Sequence, residues 1–108
     1  MSETNLLRTY AKKTVPLALR DVELTLSVSQ SLFSSHHIDT GTRHLLKSLR
    51  PGLAGPFANV LDLGCGYGPI GLTMAKRYPE STVHMVDRDA LAVAFARENA
   101  RRNDLRNV

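Results

Sequence analysis

The chain has 108 residues, room for one small domain, and contains no run of about 20 apolar residues that would cross a membrane as a helix. A single cysteine, Cys65, excludes an internal disulfide framework and argues against a metal cluster. The net charge of +4, tilted toward the N-terminal half, permits a nucleic-acid partner without demanding one, and the opening Met1–Asn5 lacks the charged-then-apolar order of a signal peptide, which predicts a cytoplasmic protein.

Residues 5–20 mix apolar and basic positions, and Pro16 argues against a long helix there. Val22 to Ser29 alternates strictly between apolar and polar side chains, which predicts a strand with one buried face. Phe33 and Ser34 close that strand, and residues 36–42 read as a loop. Asp39 or Thr40 is placed to cap a short helix over Arg43–Leu49, whose leucines form one apolar stripe. Arg50 to Pro56 is a turn-rich connector. His36, His37 and His44 lack the further ligands that a metal site needs, and a solvated loop accounts for them.

From Ala58 the order becomes strand, glycine turn, helix (about Pro69 to Tyr78), break at Pro79, strand (Thr82 to Val86), acid, helix (about Ala90 to Asn103). Pro69 suits a first helical turn, where its missing N–H costs nothing. Met74 and Tyr78, one turn apart, read as packing residues. Alternating strands and helices imply an α/β fold with a parallel sheet. Asn107-Val108 resembles the approach to a third strand. Two parallel strands do not make a core, so the sequence is expected to be the N-terminal portion of a larger domain, truncated after its second β-α unit. Residues 1–32 are expected to form an extension with one strand, and residues 33–108 the start of the domain proper.

The feature that carries function is Val60-Leu61-Asp62-Leu63-Gly64-Cys65-Gly66-Tyr67-Gly68, followed nineteen residues later by Asp87. An apolar strand running into alternating glycines and a helix makes a tight turn against whose bare backbone a ligand can lie. Asp87, at the end of the next strand, is positioned to accept both hydroxyls of a ribose. A dinucleotide fingerprint spaces its glycines G-x-G-x-x-G and rests a pyrophosphate on the helix N-terminus. Here the third glycine comes one residue early, and Asp62 precedes the first by two positions. That acid is a poor neighbour for a pyrophosphate and a good one for a cation, such as the amino group or sulfonium of S-adenosylmethionine. A purely structural turn is the alternative for the glycines, as a helix N-cap is for Asp87, although Asp89 is the better cap.

This pattern resembles motif I of the class I S-adenosylmethionine-dependent methyltransferases. From Phe33 to Leu105 the chain is similar to the small-methyltransferase domain family, which includes ribosomal RNA guanine-N2 methyltransferases. Phe33-Ser34 with Asp39-x-Gly41-Thr42, the run from Val60 to Gly71, Val86-Asp87-Arg88-Asp89-Ala90-Leu91, and Ala96-Arg97-Glu98-Asn99 with Asn103-Asp104-Leu105 carry the likeness. Asp104 stands where that family often has glycine, and either residue serves a left-handed helix stop. The family's Asn-Pro-Pro-Phe/Tyr tetrapeptide is not in this sequence, so the resemblance transfers the cofactor half of the site and leaves the catalytic residues unidentified.

The resemblance implies a Rossmann-like methyltransferase fold and S-adenosylmethionine as cofactor. Asp62, Gly64, Cys65, Gly66, Gly68, Asp87 and Arg88 line its site, with Phe33 as part of a covering lid. It implies RNA, foremost ribosomal RNA at a guanine exocyclic amine, as substrate. No metal and no membrane enter that picture, and the chain by itself is expected to be inactive. Lys12, Lys13 and Arg20, and the cluster Arg97, Arg101, Arg102 and Arg106, are then candidates to face RNA. A solvated face serves equally for the first group, and the helix dipole for the second. Cys65 reads as a small packed residue rather than a nucleophile. Rival readings are a methyltransferase of the same fold acting on protein or small molecules, a nicotinamide enzyme, and a non-catalytic cofactor-binding remnant.

Overall fold

The computed structural model describes residues 2–11, 13–29, 40–50 and 55–108. It opens with α1 (Glu3–Tyr10), whose Ser2 N-cap hydroxyl accepts the Asn5 N–H at 3.1 Å. An antiparallel hairpin follows, β1 (Lys13–Ala18) against β2 (Glu23–Val28), in register from Lys13 opposite Val28 to Ala18 opposite Glu23. After α2 (Thr40–Ser48) come β3 (Asn59–Leu63), α3 (Pro69–Arg77), β4 (Thr82–Val86) and α4 (Ala90–Arg102). β3 and β4 pair in parallel, Asn59 beside Thr82 through Leu63 beside Val86. The α/β order and the parallel pair are those expected from the sequence.

The N-terminal extension departs from expectation. It holds a helix and two strands rather than one strand. Pro16 sits inside β1 because its partner in register, Thr25, turns its N–H and C=O away from β1 and onto the Asn103 carboxamide, at 3.0 and 2.9 Å. That makes Pro16–Thr25 a pair in which no ladder hydrogen bond is due, so a residue without an N–H is tolerated. The helix expected over Arg43–Leu49 begins earlier, at Thr40. Of its leucines only Leu46 is fully buried, while Leu45 lies 43% exposed. Residues 40–42, expected in a loop with Thr40 as one possible cap, are instead the first turn of α2; Phe33, Ser34, His36, His37 and Asp39 lie outside the described residues, and so do the lid and the rest of the loop expected of them.

One core joins the extension to the parallel unit. Val15, Leu17, Leu24, Leu26 and Val28 of the hairpin pack with Leu72 of α3 and Phe95 of α4, which is fully buried. α4 ends as its sequence suggests: Asp104 adopts the left-handed conformation (φ 56°), and Leu105 N–H closes onto the Ala100 carbonyl at 2.9 Å. Beyond it the chain runs along the outer edge of β4, where Val83 donates to the Asn107 carbonyl at 2.7 Å. The Asn107 side chain donates to the carbonyls of Ala75, Tyr78 and Ser81 and so closes the C-terminal end of α3.

Strand alternation sets which face carries the helices. Val60, Asp62, Val83 and Met85 face α3, whereas Leu61, Leu63 and Val86 are 61, 73 and 49% exposed on the other face. Gly71 is what lets α3 come so near, since a Cβ there would lie 2.6 Å from Met85 Sδ and 3.1 Å from Asp62 Oδ2.

Candidate cofactor site

β3 hands the chain to α3 through a turn in which Gly64, Gly66 and Gly68 all have positive φ, at 71, 57 and 105°. Such backbone strongly favours glycine, because a Cβ would crowd the carbonyl that follows. The turn is pinned to the end of β4. Both Gly64 N–H and Cys65 N–H reach the Val86 carbonyl, at 2.7 and 3.0 Å, and Gly66 N–H reaches Asp87 Oδ2 at 3.0 Å.

The three glycines divide into two kinds. A Cβ on Gly64 or Gly66 would meet no atom within 4 Å, so both present bare backbone to open space. Gly68, grouped with them on sequence, is buried instead, and a Cβ there would press on Leu72 Cδ1 at 2.8 Å. Its lack of a side chain serves the packing of α3 rather than a ligand surface.

Asp87 stands beside the open glycines. One carboxylate oxygen takes the Gly66 N–H and the other takes the Asp89 N–H at 2.9 Å. These N–H donors, Asp89 first and Gly66 second, hold the Asp87 carboxyl below the usual carboxylate range. The group is therefore an anion at neutral pH with lone pairs to spare for further donors. Asp89 is the N-cap of α4, its carboxylate accepting the Leu91 N–H at 2.9 Å, which leaves Asp87 free of that task. Arg88, between them, is exposed.

Asp62 has a role that its sequence position did not suggest. Its Oδ2 accepts the Gly71 N–H at 3.0 Å, in the first turn of α3, whose N-cap Gly68 offers no side chain. A carboxylate reaching from β3 onto the third N–H of the helix complements the dipole and satisfies an orphan donor. Burial, above all, pushes the Asp62 carboxyl upward, with the Asp87 charge adding to the rise. The negative charge beside the turn is thus partly spent on holding α3. Cys65 is buried, and burial followed by the charges of Asp62 and Asp87 pushes its thiol up to about 11. It is a packed thiol at neutral pH and no nucleophile.

Asn99 was legible only as part of a family likeness, yet it is the residue that fixes the turn from behind. Its fully buried carboxamide donates to the Tyr67 carbonyl inside the glycine turn at 2.9 Å and exchanges two hydrogen bonds with the Ser27 backbone in β2. Among the described residues no group of three His, Cys, Asp or Glu side chains converges to hold a metal ion. No helix there is long and apolar enough to cross a membrane.

Residues 23–108 match the methyltransferase small domain. YbxB of Bacillus subtilis (strain 168), itself uncharacterized, is 39% identical over 98 residues, which are 90% of this chain and 47% of that protein. A ribosomal RNA small subunit methyltransferase C of Pseudomonas putida is 45% identical over 89 residues, covering 82% of this chain and 26% of the relative. A ribosomal RNA large subunit methyltransferase G of a Shewanella species is 37% identical over 93 residues, covering 86% and 24%. Among solved structures, the T. thermophilus 16S rRNA N2 methyltransferase RsmC, in complex with AdoMet and guanosine, superimposes with a TM-score of 0.77 at 26% identity, over 87% of this chain and 26% of that one. The chain therefore spans less than half the length of these relatives. With a match that runs from the start of β2 through α4 and takes in every residue of the glycine turn, the chain belongs to the methyltransferase small domain family.

Proposed function

We propose that this chain is the cofactor-binding part of an S-adenosylmethionine-dependent methyltransferase that acts on ribosomal RNA at a guanine exocyclic amine. The observation that carries the cofactor reading is the pairing of two open, left-handed glycines with an ionised Asp87 whose Oδ2 lies 3.0 Å from the Gly66 N–H. Bare backbone at Gly64 and Gly66 accommodates the body of the cofactor, and Asp87 accepts its ribose hydroxyls. Asp62 and Asp87 together favour a cationic ligand over a pyrophosphate, since neither acid has a cation bonded to it among the described residues. Exposed Arg88, just past β4, is placed to flank an adenine.

The bound sulfonium supplies an already activated methyl group, so the work of the protein is to hold the acceptor in line with it. This chain supplies the donor's side of that arrangement, a rigid floor made by the glycine turn and tied to Val86, Asp87 and Asn99. The RNA acceptor and the guanine amine are carried over from the relatives' names, and a cytoplasmic location goes with such an acceptor. Residues 33–108 form the cofactor-binding portion, and residues 1–32 are its extension, whose described strands pack onto α3 and α4.

Calorimetry with S-adenosylhomocysteine tests the reading on the intact protein. We expect measurable binding that Asp87→Ala weakens at least tenfold, and no binding of a nicotinamide dinucleotide. Unchanged affinity in the Asp87 variant would remove the role assigned to it.

A further inference from the structure

At the end of α3 away from the glycine turn, a groove of about 270 Å³ opens between the hairpin turn and the C-terminus of α2, lined by Leu19, Arg20, Asp21, Lys47, Arg50 and Arg77. Four of these six side chains are cations and one is an acid. The acid is already committed. Arg77, 2% exposed, takes both Asp21 oxygens, at 2.6 and 3.0 Å, and its remaining nitrogen donates to the Leu46 and Leu49 carbonyls at 3.3 and 3.0 Å. The same guanidinium thus neutralises the one carboxylate of the groove and covers the carbonyls at the negative end of α2.

Arg20, Lys47 and Arg50 are left exposed, with no acid bonded to them among the described residues. Lys47 in the last turn of α2 and Arg50 just past it also complement the helix dipole, but Arg77 already covers the carbonyls there, and Arg20 on the hairpin turn has no such role. Two arginines of α4 differ, because Arg97 is paired with Glu3 at 2.6 Å and Arg101 with Glu98 at 2.9 Å. Three exposed cations thus line one groove whose single carboxylate is already neutralised by Arg77.

We propose that this groove binds the phosphodiester backbone of the RNA substrate, with Arg20, Lys47 and Arg50 as its phosphate contacts. The inference rests on the RNA reading above. α3 has 9 residues, so the groove lies roughly 13 Å from the glycine turn at about 1.5 Å per residue. A contact at that distance holds the strand and sets its register without reading the base that reacts. A metabolite acceptor would not reach both places, whereas a polyanion spans them.

The test compares the intact protein with its Arg20→Gln/Lys47→Gln/Arg50→Gln variant, using a guanine-containing single-stranded RNA over a salt series. Single strands contribute about 0.7 to the logarithmic salt slope per phosphate contact, so loss of three contacts flattens the slope by about 2 and weakens binding at least tenfold at low salt. S-adenosylhomocysteine affinity stays unchanged in the same variant, which separates a lost RNA contact from a damaged fold. Arg102→Gln, on the α4 surface, serves as the comparison and leaves the slope within one contact of the unaltered protein. A triple variant with the unaltered slope and affinity overturns the groove and leaves the RNA reading standing. Failure of the unaltered protein to bind RNA, with cofactor binding intact, overturns both.

Discussion

The carboxamide nitrogen of Asn99 lies 2.9 Å from the carbonyl oxygen of Tyr67, so a side chain on α4 holds the middle of the glycine turn between β3 and α3. The same carboxamide accepts the Ser27 N–H at 2.6 Å and donates to the Ser27 carbonyl at 3.0 Å, as a neighbouring strand would. Hairpin, helix and turn therefore meet at one buried side chain. Asn103, one turn further along α4, repeats the exchange with Thr25, and together the two asparagines cover the outer edge of β2.

Replacing Asn99 tests that junction. Asn99→Ala orphans three buried backbone groups, each costing about 1–3 kcal/mol, and we expect a loss of about 3 kcal/mol in urea unfolding once water recovers part of the penalty. Asn103→Ala, at a more accessible site, should cost about 1 kcal/mol. Cofactor affinity should fall for the Asn99 variant, which frees the turn, and hold for the Asn103 variant. Equal effects of the two on affinity would mean that the link to Tyr67 does not matter to the site.

The glycines make opposite predictions. Gly66→Ala puts a Cβ into open space, so its stability cost is the left-handed backbone alone, about 1–2 kcal/mol, while S-adenosylhomocysteine binding should drop steeply. Gly68→Ala adds a clash with Leu72, 2.8 Å away, to its own positive φ and should unfold the protein more readily. Thermal melts and calorimetry on both variants check this. A Gly66 variant that binds as well as the parent would show that no ligand lies against that backbone.

How much of this was legible in the sequence follows from the range of each interaction. The β-α-β-α order, the Asp89 cap and the Asp104 stop depend on residues within a few positions of each other, and local chemistry reveals them. Strand β1 is not legible locally, because its apolar and basic residues carry no clean alternation and Pro16 lacks an N–H for a ladder, and only the pairing with Thr25, whose hydrogen bonds point to Asn103, makes the proline acceptable there. The cap that Asp62 gives to α3 depends on how the helix lands on β3. The clamp of Asn99 on Ser27 joins residues 72 apart, and no periodicity encodes it.

Cys65 should prove inert despite its place in the turn. Its thiol, pushed up to about 11 and buried, presents almost no thiolate at pH 8. A disulfide reagent should modify it at the rate of global unfolding, and Cys65→Ala should bind S-adenosylhomocysteine within about twofold of the parent. Rapid modification in the absence of denaturant would contradict the packing described.

The acids of the fold predict a stability profile with two opposed limbs. Hydrogen bonding from Arg77, above all, holds the Asp21 carboxyl below its unfolded value of 3.8. Its contribution is present above that value and lost as pH falls through the lower folded one. Burial raises Asp62 above the same reference, so the folded state binds the extra proton and stability falls as pH rises from 3.8 toward the raised value. Asp21→Asn should therefore be less stable than the parent at neutral pH, by about 1–2 kcal/mol because Asp21 keeps 32% of its side chain in water, and the gap should close in strong acid. Asp62→Asn keeps an oxygen for the Gly71 N–H and escapes the cost of a buried charge, so it should gain on the parent as pH rises. Urea titrations between pH 2.5 and 7 read both differences. If the Asp62 variant instead loses ground as pH rises, its carboxylate stabilises α3 more as an anion than burial costs it, and the capping bond outweighs desolvation at this site.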